Sequence, residues 1–169
     1  MSKLNYRDAT LADLAKIAEI YNSTIPSRLV TADTDPVSVE SRMKWFEEHN
    51  PDTRPLWMVE NERQETVGWI SFQSFYGRPA YDATVEVSIY LDVAMRGRGY
   101  GLQVLQKAID SAAAMGIKTL LGFIFGHNQP SLLLFKKLGF EEWATLPNIA
   151  LLDGVERDLK ILGRRVEGK

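Results

Sequence analysis

Glu86 stands a short distance upstream of Arg96-Gly97-Arg98-Gly99-Tyr100-Gly101, and these two features are the clearest candidates for chemistry in the chain. A carboxylate held partly out of water has a raised pKa and can take a proton from a nucleophile near neutral pH. The alternating glycines let the backbone turn tightly and touch a ligand with no Cβ in the way. The amides at the start of the helix expected after them point one way, and the helix dipole adds its positive end to the charges of Arg96 and Arg98. An anion is the natural occupant. On the hexapeptide alone, a surface turn with two solvated arginines is an equal reading. A dinucleotide fingerprint needs G-x-G-x-x-G with an acidic residue about 20 positions on, which this spacing lacks. A triphosphate loop needs Gly-Lys-Ser/Thr, whereas Gly101 is followed by Leu102.

The elements that must position these groups follow from periodicity. Residues 83–91 read as a strand with Val85, Val87 and Ile89 on one face and Glu86, Ser88 and Tyr90 on the other. The helix after the glycines carries Leu102, Leu105, Ala108, Ile109 and Ala112 on one side and ends at Gly116. An apolar strand over 119–125 follows, and Asn128-Gln129-Pro130 opens a helix that runs to Leu138. Upstream, residues 4–7 form a short strand, and Thr10 to Asp13 reads as a capping box for a helix ending near Asn22. Residues 23–34 read as a surface loop, and Asp35-Pro36 as the start of a second helix. Strands over 56–60 and 66–73 suit a hairpin, and the tail offers strands over 140–144, 149–152 and 157–162. The expected fold is α/β (α+β): a mixed, mostly antiparallel sheet of six or seven strands with about four helices and one parallel pair.

Composition narrows the classes. A chain of 169 residues fits one domain, 1–169, with a proper core. The formal charge of −2 and the lack of a Lys/Arg run argue against a nucleic-acid partner. With no cysteine there is no disulfide, no thiolate metal site and no acyl-cysteine route. His49 and His127 lack ligand partners at useful spacing, so no metal is expected. The N-terminus lacks the apolar core of a signal peptide and no apolar run reaches the roughly 18 residues of a membrane span. A cytoplasmic protein without membrane contact is expected.

The glycine loop after a strand, followed by a helix, a strand, Asn128, Ser131 and Leu138-Gly139-Phe140, resembles the acetyl-CoA motif of the Gcn5-related N-acetyltransferase (GNAT) superfamily. Arg7, Ala9 and Asp13 are similar to its opening, so the likeness covers essentially the whole chain. Tyr21-Asn22, Asp35-Pro36-Val37-Ser38, Arg42, Trp45-Phe46, Arg78-Pro79-Ala80-Tyr81 and Thr84 to Tyr90 resemble the phosphinothricin or methionine sulfoximine/sulfone acetyltransferase group.

This resemblance implies an acetyl-CoA-dependent N-acetyltransferase acting on a small amino-acid-like amine, and a homodimer. It implies that the strand of Glu86 splays from its neighbour, freeing backbone groups near Ile89, Tyr90 and Leu91 for the pantetheine arm. The amides of Gly97 to Leu102 would hold the pyrophosphate, Arg96, Arg98 and the loop with Tyr100 would frame it, and Asn128 would hydrogen-bond the cofactor. Lys137 would reach the outer phosphates or is a solvated helix lysine. Glu86 would be the general base, or it pairs with Arg78. Tyr76, Arg78, Tyr81, Glu86, Ser88 and the loop from Ile25 to Thr34 would contact the amine, with Arg78 either clamping a carboxylate or standing as an edge charge. Two features depart from the family pattern. Phe135 stands where many members carry a tyrosine that protonates the leaving thiolate, and where phosphinothricin-specific enzymes carry a histidine. The tail from Pro147 to Asp158 lacks the usual Lys and Trp pair. The competing functions are a protein N-terminal or polyamine acetyltransferase and a CoA-binding sensor without catalysis.

Overall fold

Residues 56–60 and 66–74 are rich in aromatic and β-branched side chains and build the antiparallel pair from which the sheet grows. In the computed structural model, which describes residues 2–167, seven strands form one sheet. They are β1 (Asn5–Asp8), β2 (Leu56–Glu60), β3 (Thr66–Ser74), β4 (Thr84–Leu91), β5 (Thr119–Phe125), β6 (Glu141–Leu152) and β7 (Val155–Arg165), in the order β1-β2-β3-β4-β5-β7-β6. Only β4 and β5 run parallel. Four α-helices flank the sheet: α1 (Leu14–Thr24), α2 (Met43–Glu47), α3 (Tyr100–Ala112) and α4 (Gln129–Lys137). The sequence-based fold class is borne out by this architecture.

Strand alternation divides the core into two layers. On one face Val85, Val87, Ile70 and Phe72 pack against Val104, Leu105 and Ala108 of α3 and Leu132 and Phe135 of α4. On the other, Met58 and Trp69 pack against Leu14, Ile17, Ile20 and Tyr21 of α1. Arg7 fastens β1 to the first helical turn with a bidentate bond to Asp13, at 2.8 and 2.9 Å, and a bond to Glu60 at 2.9 Å. This guanidinium holds the Asp13 carboxyl below its usual range.

Three local expectations are corrected. Asp35-Pro36 does not start the second helix; a 3-10 turn at Glu40–Arg42 leads into α2 instead. The reason lies in Asn22, whose side chain accepts from Val37 N at 2.8 Å and donates to Val37 O at 2.9 Å, so the Val37 peptide groups are committed elsewhere. The first helix continues past Asn22 to Thr24 and then through a 3-10 turn to Ser27, shortening the expected loop. The tail forms two long strands rather than three short ones, joined at Asp153 and Gly154, both with positive φ (51° and 79°). That is the backbone of a tight two-residue hairpin turn. Pro147 sits on the edge strand β6 where pairing with β7 is interrupted between Leu146 and Ala150, which is where a sheet tolerates proline.

Candidate active site

The β4–β5 ladder has three pairs, Thr84 with Thr119, Val85 with Leu120 and Glu86 with Leu121, and then stops. β4 itself continues to Leu91, so the two strands separate inside the sheet. The register of β4 on β3 decides which peptide groups this frees. Asp92 N donates to Val67 O at 2.8 Å and Phe75 N to Thr84 O at 3.2 Å. In an antiparallel ladder bonded pairs alternate, so Glu86, Ser88 and Tyr90 turn their peptide groups toward β3. Val87, Ile89 and Leu91 turn theirs toward the gap. Among the three backbone positions expected to meet a cofactor, Ile89 and Leu91 therefore face the opening and Tyr90 does not. The Leu91 carbonyl already accepts from Arg96 Nε at 3.2 Å.

A narrow cleft of about 160 Å³ fills the gap. Its walls include Ile89 and Leu91 of β4, Gly101 of α3, and Asn128, Ser131 and Phe135 at α4. Asn128 is buried and caps α4, its Oδ1 accepting from Ser131 N at 3.3 Å, which leaves the Nδ2 amide for the cleft. At the start of α3, Gly97 and Gly99 have φ of 72° and 81°, and a Cβ built on either would meet no atom within 4 Å. The backbone is thus open to a ligand at the point where first-turn amides have no side-chain cap. Tyr100 is buried in the core beneath this turn. Arg96 also reaches Ser23 Oγ at 3.2 Å. Arg98 is exposed and has no partner among the described residues. Lys137 is exposed in the last turn of α4, one turn beyond Leu134, whose side chain lies beside Gly101.

A wider cleft of about 530 Å³ adjoins the narrow one, and Val30, Ser88, Tyr90 and Phe123 line both. Glu86 lines the wide cleft on the same strand face as Ser88 and Tyr90. Burial raises the Glu86 carboxyl above its ordinary value. No hydrogen bond or ion pair engages it among the described residues, so the alternative pairing with Arg78 is not formed. Tyr90 stacks on Trp69 at 4.5 Å and 13° and leans on Tyr21, and burial raises its hydroxyl pKa strongly. The Tyr21 hydroxyl is bonded to Thr31 and Asp33, and is pushed up to about 12 by burial and by Asp33.

Tyr76, Arg78 and Tyr81 do not line either cleft. Tyr76 and Tyr81 cluster around Phe75, which approaches Phe123 of the cleft wall at 6.4 Å. The loop expected to meet the amine does line the wide cleft, through Val30, Thr31 and Ala32, whereas Ile149 to Leu152 of β6, in the tail that departs from the family pattern, were not singled out from the sequence. No group of His, Asp and Glu suited to a metal ion occurs among the described residues. No helix there is long and apolar enough to cross a membrane.

The sheet is forked at its centre, with a glycine-led helix start at the mouth of the fork. The chain belongs to the GNAT family of acetyltransferases, whose description, Acetyltransferase (GNAT) domain, matches residues 3–141. It is 54% identical over 163 residues, 96% of this chain and 99% of the relative, to YwnH of Bacillus subtilis, a protein provisionally named a phosphinothricin acetyltransferase. It is 30% identical, over 92% of this chain and 91% of the relative, to an L-methionine sulfoximine/L-methionine sulfone acetyltransferase of Pseudomonas aeruginosa. A crystal structure of a GNAT superfamily phosphinothricin acetyltransferase from Sinorhizobium meliloti in complex with AcCoA superposes with a TM-score of 0.90 at 29% identity, covering 100% of this chain and 91% of that one.

Proposed function

We propose that residues 1–169 form one acetyl-CoA-dependent N-acetyltransferase domain that acetylates the primary amine of a small amino-acid-like substrate by direct attack in a ternary complex. The observation that carries this reading is the fork at Glu86. From there a narrow cleft runs along the parted β4, and it adjoins the roomier cleft that Glu86 lines.

The narrow cleft fits an extended acyl carrier. Ile89 and Leu91 would pair with an amide-bearing arm as an added strand does. Asn128 would donate from Nδ2, and the amides of Gly97 to Leu102 would hold a pyrophosphate with Arg98 as counter-charge. Lys137, in the last turn of α4, would add a further charge. Bound there, acetyl-CoA would supply an acetyl group activated as a thioester.

Glu86 then acts on the amine in the wide cleft. Its raised pKa brings it nearer to neutrality, where a base both is ionised and holds the proton it takes. An α-amine with a pKa of about 7.7–8.0 is already partly neutral at physiological pH, so a water between amine and Glu86 suffices. The N–H groups of Ile89 and Leu91, which turn toward the gap, would donate to the acyl oxygen as negative charge grows on it. Phe135 has no proton to give, so protonation at the sulfur falls to water. With no cysteine in the chain, no acyl-cysteine step is available.

The wide cleft has Glu86 as its one carboxylate and is mostly apolar, which disfavours a polyamine. The names of the relatives support amino-acid analogues as substrates. The family likeness supports a homodimer. Release of thiol from acetyl-CoA with a panel of amines tests the reading, the panel including methionine sulfoximine, methionine sulfone and phosphinothricin. Acetyl-CoA-dependent thiol release with at least one amino-acid analogue is expected. Cofactor binding with no turnover of any amine would instead make the chain a CoA-binding module.

A further inference from the structure

The two walls of the wide cleft come from distant parts of the chain, residues 30–32 after α1 and residues 149–152 of β6. One side chain is bonded to the ends of both. Arg28 Nε donates to Asp153 Oδ2 at 3.0 Å, and Asp153 directly follows Leu152 in the tight β6–β7 turn. Arg28 Nη1 donates to Thr34 O at 2.8 Å, closing the loop that carries Val30, Thr31 and Ala32. The Arg28 carbonyl accepts from His127 Nε2 at 2.8 Å, which ties the same residue to the segment leading into α4. The His127 ring lies along Phe125, another cleft residue, at 5.6 Å and 27°. Its other nitrogen is buried without a partner among the described residues, so the bond to Arg28 is what orients the ring. Arg28 itself holds a left-handed backbone (φ 55°), an unusual conformation for a side-chain-bearing residue that these bonds maintain.

We infer that Arg28 is a positioning residue for the amine: through Asp153 it holds the 149–152 wall against the 30–32 wall and so sets the width of the acceptor cleft. This rests on the reading of the wide cleft as the amine site. The tie is local in its effect. The side chains of Arg28 and Asp153 are 27% and 66% exposed, and an ion pair this open to water adds little to global stability. It also weakens with salt, because exposed charges are screened. Its contribution is to geometry at the cleft mouth, where bulky and small amines are told apart. Of the wall residues it positions, only Val30 also lines the narrow cleft between β4 and β5.

The test uses the full chain with Asp153→Asn, which removes the charge and keeps the size, and Asp153→Glu, which keeps the charge. With the amines that the unaltered protein turns over, Asp153→Asn should raise KM about three- to ten-fold while kcat and acetyl-CoA affinity stay within about two-fold. Asp153→Glu should restore most of the loss. Raising the salt concentration from about 0.05 to about 0.5 M should raise KM of the unaltered protein more than that of Asp153→Asn. An unchanged KM in Asp153→Asn, or an equal fall in kcat and acetyl-CoA affinity, overturns the inference. If no amine is turned over at all, the amine-site reading fails, and the tie is then read by hydrogen exchange. Faster exchange at residues 29–33 and 149–152 in Asp153→Asn than in Asp153→Glu supports the tie, and equal rates refute it.

Discussion

Glu86 of β4 faces Leu121 of β5 as the last pair of their parallel ladder. Beyond them the strands part, so the residue with the raised carboxyl pKa stands at the crotch of the fork. The position explains two properties at once. Leu121 and the sheet on either side remove water from Glu86, and the parting strands give a substrate access to it.

Gly99 leads α3 with φ of 81°. Valine is disfavoured in this left-handed region by about 1–2 kcal/mol, and its side chain would occupy the space above the helix amides. Gly99→Val should abolish acetyl-CoA binding in a calorimetric titration, with a modest loss of thermal stability. Normal binding would remove the loop from the donor site.

Gly122 lies under the Phe135 ring, and a Cβ there would meet ring carbons at 2.5 and 2.9 Å. Phe140 braces the same ring at 4.8 Å, so Phe135 cannot simply retreat. Gly122→Ala should cost about 1–3 kcal/mol by overpacking. It should also weaken acetyl-CoA binding, because the ring lines the narrow cleft. A second change, Phe135→Leu, should recover part of both losses in denaturation and binding measurements.

Arg78 is exposed and lies outside the lining of both clefts. Arg78→Ala should therefore leave KM within about two-fold for amines with and without a carboxylate. A rise of about ten-fold confined to carboxylate-bearing amines would instead show a charge-assisted clamp.

Burial of Glu86 also links activity to stability. Its raised pKa means that the folded chain keeps a proton over a pH range in which the unfolded chain has lost it. The stability from that proton is complete below the ordinary value of 4.5 and is lost as pH rises through the raised folded value. Glu86→Gln should therefore melt at a higher temperature than the unaltered protein at pH 8, and the gain should vanish at pH 4. A melting temperature unchanged at pH 8 would mean that the carboxylate carries no desolvation cost.

Much of the donor side was legible because local rules govern it. Glycines preceding a helix, the alternation that puts Glu86 and Ser88 on one face, and the capping position of Asn128 all depend on neighbours in sequence. The wide cleft was legible only in part: Glu86, Ser88 and the loop at 25–34 were expected there, but its walls meet through Arg28 and Asp153, far apart in the chain, and neither residue bears a local motif. The start of α2 was misplaced because a side chain, Asn22, competes for the Val37 peptide. Pro147 and the interrupted pairing around it hid the continuity of β6. Peptide direction at Ile89, Tyr90 and Leu91 needed the register on β3, which no alternation of side chains reveals.

The role of Glu86 at the fork is tested most directly by measuring acetyl-CoA affinity and amine-dependent thiol release side by side in Glu86→Gln. Affinity should stay within about two-fold, while kcat/KM falls by about 10²–10⁴, the usual worth of a positioned base. Turnover equal to that of the unaltered protein would take Glu86 out of the mechanism and contradict the account.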